Sequence, residues 1–508
     1  MTDRPNVLLI ICDQMIARLT GAYGHPVVQT PNLDRLVREG ARFDNAYSSC
    51  PVCVPARSSL MTGKYVSRIG CYDNGSMFPG DEPTLCHYLS LAGYDTTASG
   101  KLHFIGPDQL HGFERRLTTN FHPSDFTFLP LRETTAGRHH AGFHKNPIAS
   151  NYVTAGVRQW SPQLSFDEEV HFRALEYLRL KRSQYTGTLQ KELPERDDRP
   201  FFLCVSYCHP HEPFHVTEDL WALYENDDIE LPKKPPASSA YEHAMDKMVN
   251  RFHGTHLVNL DDKKALYTMR RAYYGLVTYV DRKVGELIKA LEDYGLMEQT
   301  AIVFTSDHGD MLGERRMVQK RCFYEYSAQI PLIIHYPKNW PAATTIQEAV
   351  CTVDIMPTIL DMVGVPEGSI LPIDGKSLIP LIEGERDGNR TVFSEVHSEG
   401  VNTTCFMAKK GKFKYIQTTG HEAQLYNLER DTDEWVNLSG QQEFQNTEQM
   451  LREAVMANFN PASIEQDVQQ YSGKHWLLKR AMKETGLPKW DYQPQFEATE
   501  QFWREYSK

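Results

Sequence analysis

Three runs of the chain are apolar without interruption, and each ends on a cluster of polar, ligand-type side chains. Asn6–Cys12 (NVLLIIC) leads into Asp13-Gln14, Pro200–Tyr207 (PFFLCVSY) closes on His209-Pro210-His211, and Thr300–Thr305 (TAIVFT) runs into Ser306-Asp307-His308-Gly309-Asp310. A short, β-branched run with no polar alternation is the pattern of a strand buried on both faces of a parallel sheet. Helical patterns lie between these runs. Pro31–Gly40 is amphipathic and stops at Gly40. Glu82–Gly93 repeats that form before a short strand at Thr96–Ser99. In Asp261–Tyr294, Leu266, Met269, Tyr273, Leu276, Val280, Val284, Leu287 and Leu291 recur at spacings of three and four, and Gly295 ends the pattern. Pro331–His335 and Ala349–Val353 are further strand candidates. Alternating strands and helices predict an α/β fold, a doubly wound and mostly parallel sheet with helices on both faces. Open α/β sheets carry their sites outside the carboxyl ends of the strands, where the three polar clusters fall.

The pattern changes near residue 375. Short alternating segments follow, Arg390–Val396, Cys405–Lys409 and Phe413–Gln417, with Gly411-Lys412 as a turn. They predict a smaller antiparallel sheet, with helices after it over Glu443–Asn458 and Tyr471–Thr485. The expected division is a catalytic domain over 1–375 and a C-terminal subdomain over 376–508. Asn226–Ser239, rich in proline, reads as a surface loop.

Composition narrows the function classes. A chain of 508 residues buries roughly three quarters of its unfolded surface, so its core needs no disulfide or metal. No apolar run approaches the ~20 residues of a membrane helix. The longest early run, Val7–Cys12, is too short for a signal peptide's apolar core. The expectation is a cytoplasmic protein with no membrane partner. Lys and Arg number 54 against 66 Asp and Glu, a net charge of −12, which excludes a global basic field for nucleic acid. Ten cysteines at irregular spacings are not a disulfide scaffold.

Three constellations carry chemistry. Asp13 with Gln14 offers oxygen ligands held by a strand end. Ser306–Asp310 offers carboxylate, imidazole and a glycine that permits close backbone approach. Together they can build an oxygen-rich divalent site, and each also reads as a strand-to-loop turn. The third is Cys50-Pro51-Val52-Cys53-Val54-Pro55-Ala56-Arg57. Cys50 and Cys53 have C-x-x-C spacing, open to a redox dithiol or half a zinc site, although the chain has no second C-x-x-C. From Cys53 the same segment reads C-x-P-x-R, followed by Ser58-Ser59-Leu60-Met61-Thr62-Gly63.

That second reading, with the PNLDRL, SDHGDMLGE and HPH segments, resembles the type I sulfatase family of the alkaline phosphatase superfamily. The resemblance is nearest to the choline-sulfatase branch, through Tyr72-Asp73-Asn74, the stretch Ser99–Glu114, and Lys489-Trp490-Asp491-Tyr492-Gln493-Pro494. The chain is also similar to phosphonate monoester hydrolases, which share Asp-Gln where sulfatases usually have Asp-Asp. The resemblance implies an alkaline-phosphatase-like α/β fold and a sulfate ester hydrolase. Cys53 would be oxidised to formylglycine (3-oxoalanine) by a formylglycine-generating enzyme and act as the nucleophile. Asp13, Gln14, Asp307 and His308, with residue 53, would hold one divalent metal ion, calcium foremost, with manganese or magnesium as alternatives. Arg57 would stabilise the formylglycine hydrate. Lys101, His103, His211 and Lys320 would hold the ester oxygens or protonate the leaving group.

On the substrate side, the resemblance implies that Asn74 contacts the sulfate, that Phe128 stands where choline enzymes carry a tryptophan, and that Glu395 balances a choline charge. Arg132–Trp160, with His139, His140 and His144, is the stretch expected to vary the pocket. The implied substrate is a choline-sulfate-like small molecule or an aryl sulfate, with release of inorganic sulfate. Two departures bear on choline: Phe128 in place of tryptophan, and an end at Lys508 before the longer tail of choline enzymes. A phosphonate monoester or phosphodiester hydrolase with the same machinery, and a non-catalytic redox or binding protein, are the competing readings. Relatives assemble as homo-dimers or homo-tetramers, which is the expectation here.

Overall fold

The strand nearest the amino terminus lies in the middle of the large sheet. In the computed structural model, which describes residues 4–124, 148–182, 197–224, 229–236, 241–336, 340 and 342–485, this sheet has eight strands. They are β1 (Asn6–Asp13), β2 (Ala41–Phe43), β3 (Asp95–Gly100), β4 (Arg115–Arg116), β5 (Phe201–Pro210), β6 (Thr300–Ser306), β7 (Leu332–His335) and β8 (Thr344–Ile346). Their spatial order is β8-β2-β7-β6-β1-β5-β3-β4. The pairings are parallel except at β7, which runs against both β2 and β6. Ile10 of β1 stands in register with Val205 of β5 and with Phe304 of β6, so the three apolar runs are adjacent and end together.

Successive side chains of a strand point to opposite faces, and β1 obeys this. Leu8, Ile10 and Cys12 enter one buried cluster, and Val7, Leu9 and Ile11 enter another. Both faces must therefore be covered. One is packed by α1 (Pro31–Glu39), α4 (Pro162–Arg182) and the long α5 (Lys263–Asp293). The other is packed by α2 (Cys53–Thr62), α3 (Leu85–Leu91) and α6 (Ile355–Met362). Helix α5 starts where the Asp262 carboxylate accepts the N–H groups of Lys264 and Ala265, an N-cap. Helix α4 was not anticipated, although Phe166, Val170, Ala174 and Leu178 recur every four residues along its buried side.

Four antiparallel strands, β9 (Val392–Val396), β10 (Cys405–Lys410), β11 (Phe413–Thr418) and β12 (Gln424–Asn427), form a smaller sheet. Helices α7 (Gln445–Asn458) and α8 (Pro461–Thr485) follow. A third cluster joins this sheet to the rest: Tyr47, Cys50 and Val52 pack with Phe406, Met407, Leu451 and Tyr471. Two boundaries differ from expectation. Helix α8 begins at Pro461, because the Asn460 side chain accepts from the N–H groups of Ala462 and Ser463 and proline suits a first helical turn. The strand expected at Ala349–Val353 is confined to Val350–Cys351, since Asp354 takes the Cys351 N–H at 2.8 Å and turns the chain. No helix among the described residues is long and apolar enough to cross a membrane.

Candidate active site

The carboxyl ends of β1, β3, β5 and β6 deliver Asp13, Lys101, His211 and Asp307-His308 to one place. Two glycines allow the close approach. At Gly100 (φ 112°) a Cβ would meet the Ser206 carbonyl oxygen at 2.0 Å, and at Gly309 the Tyr326 carbonyl oxygen at 2.1 Å. Lys101 N–H then bonds Ser206 O at 2.9 Å and Gly309 N–H bonds Ser327 O at 2.8 Å. Gln14 turns the chain off β1 at φ 70°, outside the regions most residues adopt. Tyr273 of α5 braces that turn by donating to Gln14 O and accepting from Ile16 N–H, both at 2.8 Å.

Cys53 opens α2, whose amino-terminal end carries a partial positive charge. Pro55 in the first turn has no N–H to leave unpaired. The Val54 N–H is taken by Asn74 Oδ1 at 3.0 Å. Asp13, Cys53, Asp307 and His308 are buried, and their ligand atoms lie within 4.8 Å of one another. The Cys53 sulfur is 3.2 Å from His308 Nε2 and 3.9 Å from Asp13 Oδ1. His308 Nδ1 is 3.0 Å from its Gly309 carbonyl partner, so the network assigns the proton to Nδ1 and turns the Nε2 lone pair inward. Asp307 Oδ1 accepts the N–H groups of Gln14 and His308 at 3.1 and 2.9 Å. This donor set, two carboxylates, an imidazole and the residue-53 side chain, can hold a divalent cation.

Cations surround the cluster. Arg57 donates to Asp307 Oδ2 at 2.9 Å, to Asp13 Oδ2 at 3.2 Å, to Ser206 Oγ at 2.8 Å and to Lys101 O at 2.5 Å. Lys101 Nζ lies 2.6 Å from Asp13 Oδ2. Lys320 Nζ donates to Gln14 Oε1 and sits 2.9 Å from His211 Nε2. Burial pushes both carboxyl groups up. For Asp13, Lys101, His211 and Arg57 outweigh burial and hold it well below the usual range. Asp307, with burial and the Asp13 charge acting together, is pushed up to about 6. Burial and Lys320 hold His308 well below the imidazole range, hence neutral. Burial, then Asp13, push the Cys53 thiol up to about 12.

Most residues expected at the site converge, and some do not. His103 is buried at the edge of the cluster, its ring stacked on His122 with centroids 4.5 Å apart. Asn74 is adjacent, but its amide is engaged by Val54 and, through Nδ2, by Glu399 at 3.1 Å. Glu395 points elsewhere: Oε1 accepts from Ser67 N–H and Oγ at 2.9 and 3.0 Å, and Oε2 is 2.7 Å from His397 Nε2. Phe128, His139, His140, His144 and the Lys489–Pro494 segment lie outside the described residues. All ten cysteines are buried and free of disulfides; Cys50 packs in the apolar cluster with Tyr47 and Val52. Sequence reasoning missed Ser206, Glu212, Gln319 and Tyr152, which together with Asp310 of the Ser306–Asp310 cluster form a buried polar shell around Gln14 and Arg57. One signal was available: an amide at position 14 needs acceptors for its two N–H bonds, and Glu212 directly follows His211.

Comparison with known proteins shows the family. The family described as Sulfatase matches residues 5–365, and the C-terminal region of N-sulphoglucosamine sulphohydrolase matches residues 313–460. The choline-sulfatase of Rhizobium meliloti (strain 1021) is 33% identical over 511 residues, covering 99% of this chain and 96% of its own. The arylsulfatase of Clostridium perfringens is 30% identical, covering 89% of this chain and 94% of its own. The phosphonate monoester hydrolase of Silicibacter pomeroyi shares the fold with a TM-score of 0.68 at 22% identity, over 90% of this chain and 95% of that one. With strand ends, C-x-P-x-R helix and basic cluster assembled as described, the chain belongs to the sulfatase family of the alkaline phosphatase superfamily and is a sulfuric ester hydrolase.

Proposed function

We propose that the protein hydrolyses the sulfate monoester of a small alcohol, with Cys53 matured to formylglycine and one divalent cation held by Asp13, Gln14, Asp307, His308 and residue 53. The observation that carries this reading is the convergence of Asp13, Cys53, Asp307 and His308 at the amino end of α2, ringed by Arg57, Lys101, His211 and Lys320. When bound, the cation supplies Lewis acidity toward a sulfate oxygen, and the matured residue supplies a nucleophilic hydrate.

The remaining work falls to the chain's own side chains. A sulfate monoester carries one negative charge, and its leaving oxygen gains charge as the S–O bond breaks. Lys101 and Lys320 are placed to hold the sulfonyl oxygens, because each is already fixed on a member of the cluster, Asp13 and Gln14 respectively. Arg57 touches both Asp13 and Asp307 and keeps their oxygens and the first turn of α2 in fixed relation. His211 presents Nε2 to Lys320 while Nδ1 is 2.7 Å from Glu212 O. A proton passing from Lys320 through Nε2 can serve the departing alkoxide. His103, stacked on His122, bounds the leaving-group side.

Choline sulfate is the first substrate to try, since the relative that covers 99% of this chain is named choline-sulfatase. The test has two parts. Mass spectrometry of the residue-53 peptide from active protein is expected to give the aldehyde or its hydrate in place of the thiol. A panel of choline sulfate, 4-nitrophenyl sulfate, a glucosamine sulfate and a phenyl phosphonate ester is expected to give highest kcat/KM on a sulfate. An intact thiol in fully active protein, or a clear preference for the phosphonate, overturns the reading.

A further inference from the structure

One buried carboxylate outside the ligand and catalytic set touches three of the groups around it. We propose that Glu212 is a positioning residue that orients Gln14, His211 and the Gln319-Lys320 turn. This rests on the reading of Gln14 Oε1 as a cation-facing oxygen. Glu212 is buried. Its Oε2 accepts from Gln14 Nε2 at 2.8 Å and lies 3.2 Å from His211 Nδ1, and its Oε1 accepts from Gln319 Nε2.

Two cations make this arrangement obligatory. Lys320 donates to Gln14 Oε1, so Gln14 can present only its NH2 to Glu212. That NH2 has two N–H bonds; Asp310 accepts at the same nitrogen, and Tyr152 donates to Asp310. On the other side, Arg321 donates to Gln319 Oε1 at 3.0 Å, so Gln319 also can present only its NH2. Position 212 therefore faces an N–H from Gln14, an N–H from Gln319 and the Nδ1 edge of His211. Only a side chain that accepts on both oxygens satisfies them. A glutamine there sets an N–H against an N–H whichever way its amide is turned. The same logic accounts for an amide at position 14: a carboxylate would stand against Glu212 and Asp310 with no proton between them. Through these contacts Glu212 holds Gln14 Oε1 inward, keeps the His211 proton on Nδ1, and fixes the residue preceding Lys320.

The experiment exchanges donor and acceptor between two residues outside the ligand and catalytic set. Purified wild type, Glu212→Gln, Gln319→Glu and the double exchange Glu212→Gln/Gln319→Glu are stripped of metal and titrated calorimetrically with calcium chloride and with manganese chloride. The kcat and KM on the best sulfate of the panel are measured for each, and far-ultraviolet circular dichroism verifies folding. Glu212→Gln is expected to weaken cation binding and lower kcat by ~10-fold or more, the usual effect of losing an outer-shell partner, with KM changed much less. In the double exchange the amide now at position 212 accepts from Gln14 and donates to the carboxylate now at position 319, which still accepts from Arg321. Both quantities are expected to return to within ~3-fold of wild type, well inside the outer-shell loss. Wild-type affinity and kcat in Glu212→Gln overturn the proposal, as does a folded double exchange no better than Glu212→Gln. The wild-type titration judges the underlying reading separately: a stripped wild type that takes up neither cation sinks Gln14 as a ligand, while kcat across the exchange still judges Glu212.

Discussion

Asn74 caps the helix that carries Cys53: its Oδ1 accepts the Val54 N–H at 3.0 Å from a loop twenty residues on. The cap is itself held from the C-terminal part of the chain. Asn74 N–H and Nδ2 donate to Glu399 at 2.9 and 3.1 Å, while neighbouring Asp73 accepts from Ser398 Oγ at 2.8 Å and from the Tyr471 hydroxyl at 2.6 Å. The helix of Cys53 is thus tied to the turn after β9 and to α8.

Asn74→Ala removes a helix cap and is expected to cost about 1 kcal/mol of stability, with a lowered kcat because the first turn of α2 loosens. Asn74→Asp keeps the acceptor but sets a carboxylate against Glu399, so it is expected to destabilise as well. Urea unfolding of both variants checks this, and an Asp variant as stable as wild type contradicts the role given to Glu399.

Arg57 is buried against two carboxylates, a serine hydroxyl and a carbonyl. Arg57→Ala leaves Asp13 and Asp307 short of a partner, and the expected loss is about 3–5 kcal/mol. Arg57→Lys keeps the charge, but a single ammonium cannot reach four acceptors in a planar fork, so an intermediate loss is expected. Thermal midpoints of the metal-free proteins order the three. Equal midpoints for Lys and wild type would mean that geometry is unimportant here.

Lys414 of β11 is fully buried and joins Glu325 at 2.5 Å and Glu434 at 2.8 Å. It also donates to Phe323 O at 2.8 Å. Lys414→Met is expected to lose about 3–5 kcal/mol, chiefly by stranding the Glu434 carboxylate, since Glu325 keeps Arg18 at 3.2 Å. Adding Glu434→Gln, which neutralises the stranded group, is expected to recover part of that loss. Chemical denaturation of the single and double variants measures the recovery, and no recovery argues against stranded charge as the cause.

His111 gives an acid-side dependence. Burial outweighs Asp108 and holds its imidazole down to about 4 from 6.5. Its ring stacks on Phe78 with centroids 4.0 Å apart and meets Phe104 edge-on at 4.8 Å. Between pH 6.5 and about 4 the unfolded chain binds a proton that the folded protein refuses. Stability therefore falls as pH drops through that window, by up to roughly 3 kcal/mol from this group. His111→Phe keeps an aromatic ring in the same apolar slot and cannot take the proton. Its urea midpoint is expected to move less than that of wild type between pH 7 and pH 4.5; equal shifts would remove His111 from the account.

What the amino-acid sequence determined by itself is what local pattern encodes. Uninterrupted apolar runs specify strands buried on both faces, as Leu8 and Leu9 on opposite sides of β1 illustrate. Helical spacing and an Asp cap set α5 within two residues of expectation, and the polar clusters had to fall at strand ends. The C-x-P-x-R segment drew attention to Cys53 and Arg57 because its residues are contiguous. Only the tertiary structure decided the pairings. That Lys101 meets Asp13, that Asn74 caps Val54, that Glu395 turns to Ser67 and His397, and that Glu212 joins Gln14 to Gln319 all depend on strand register and on turns such as Gln14 at φ 70°. Apart from Glu395 and His397, two positions apart, these contacts join residues from 20 to more than 300 positions apart. Their geometry is set by how loops leave the sheet, and no short-range periodicity carries that.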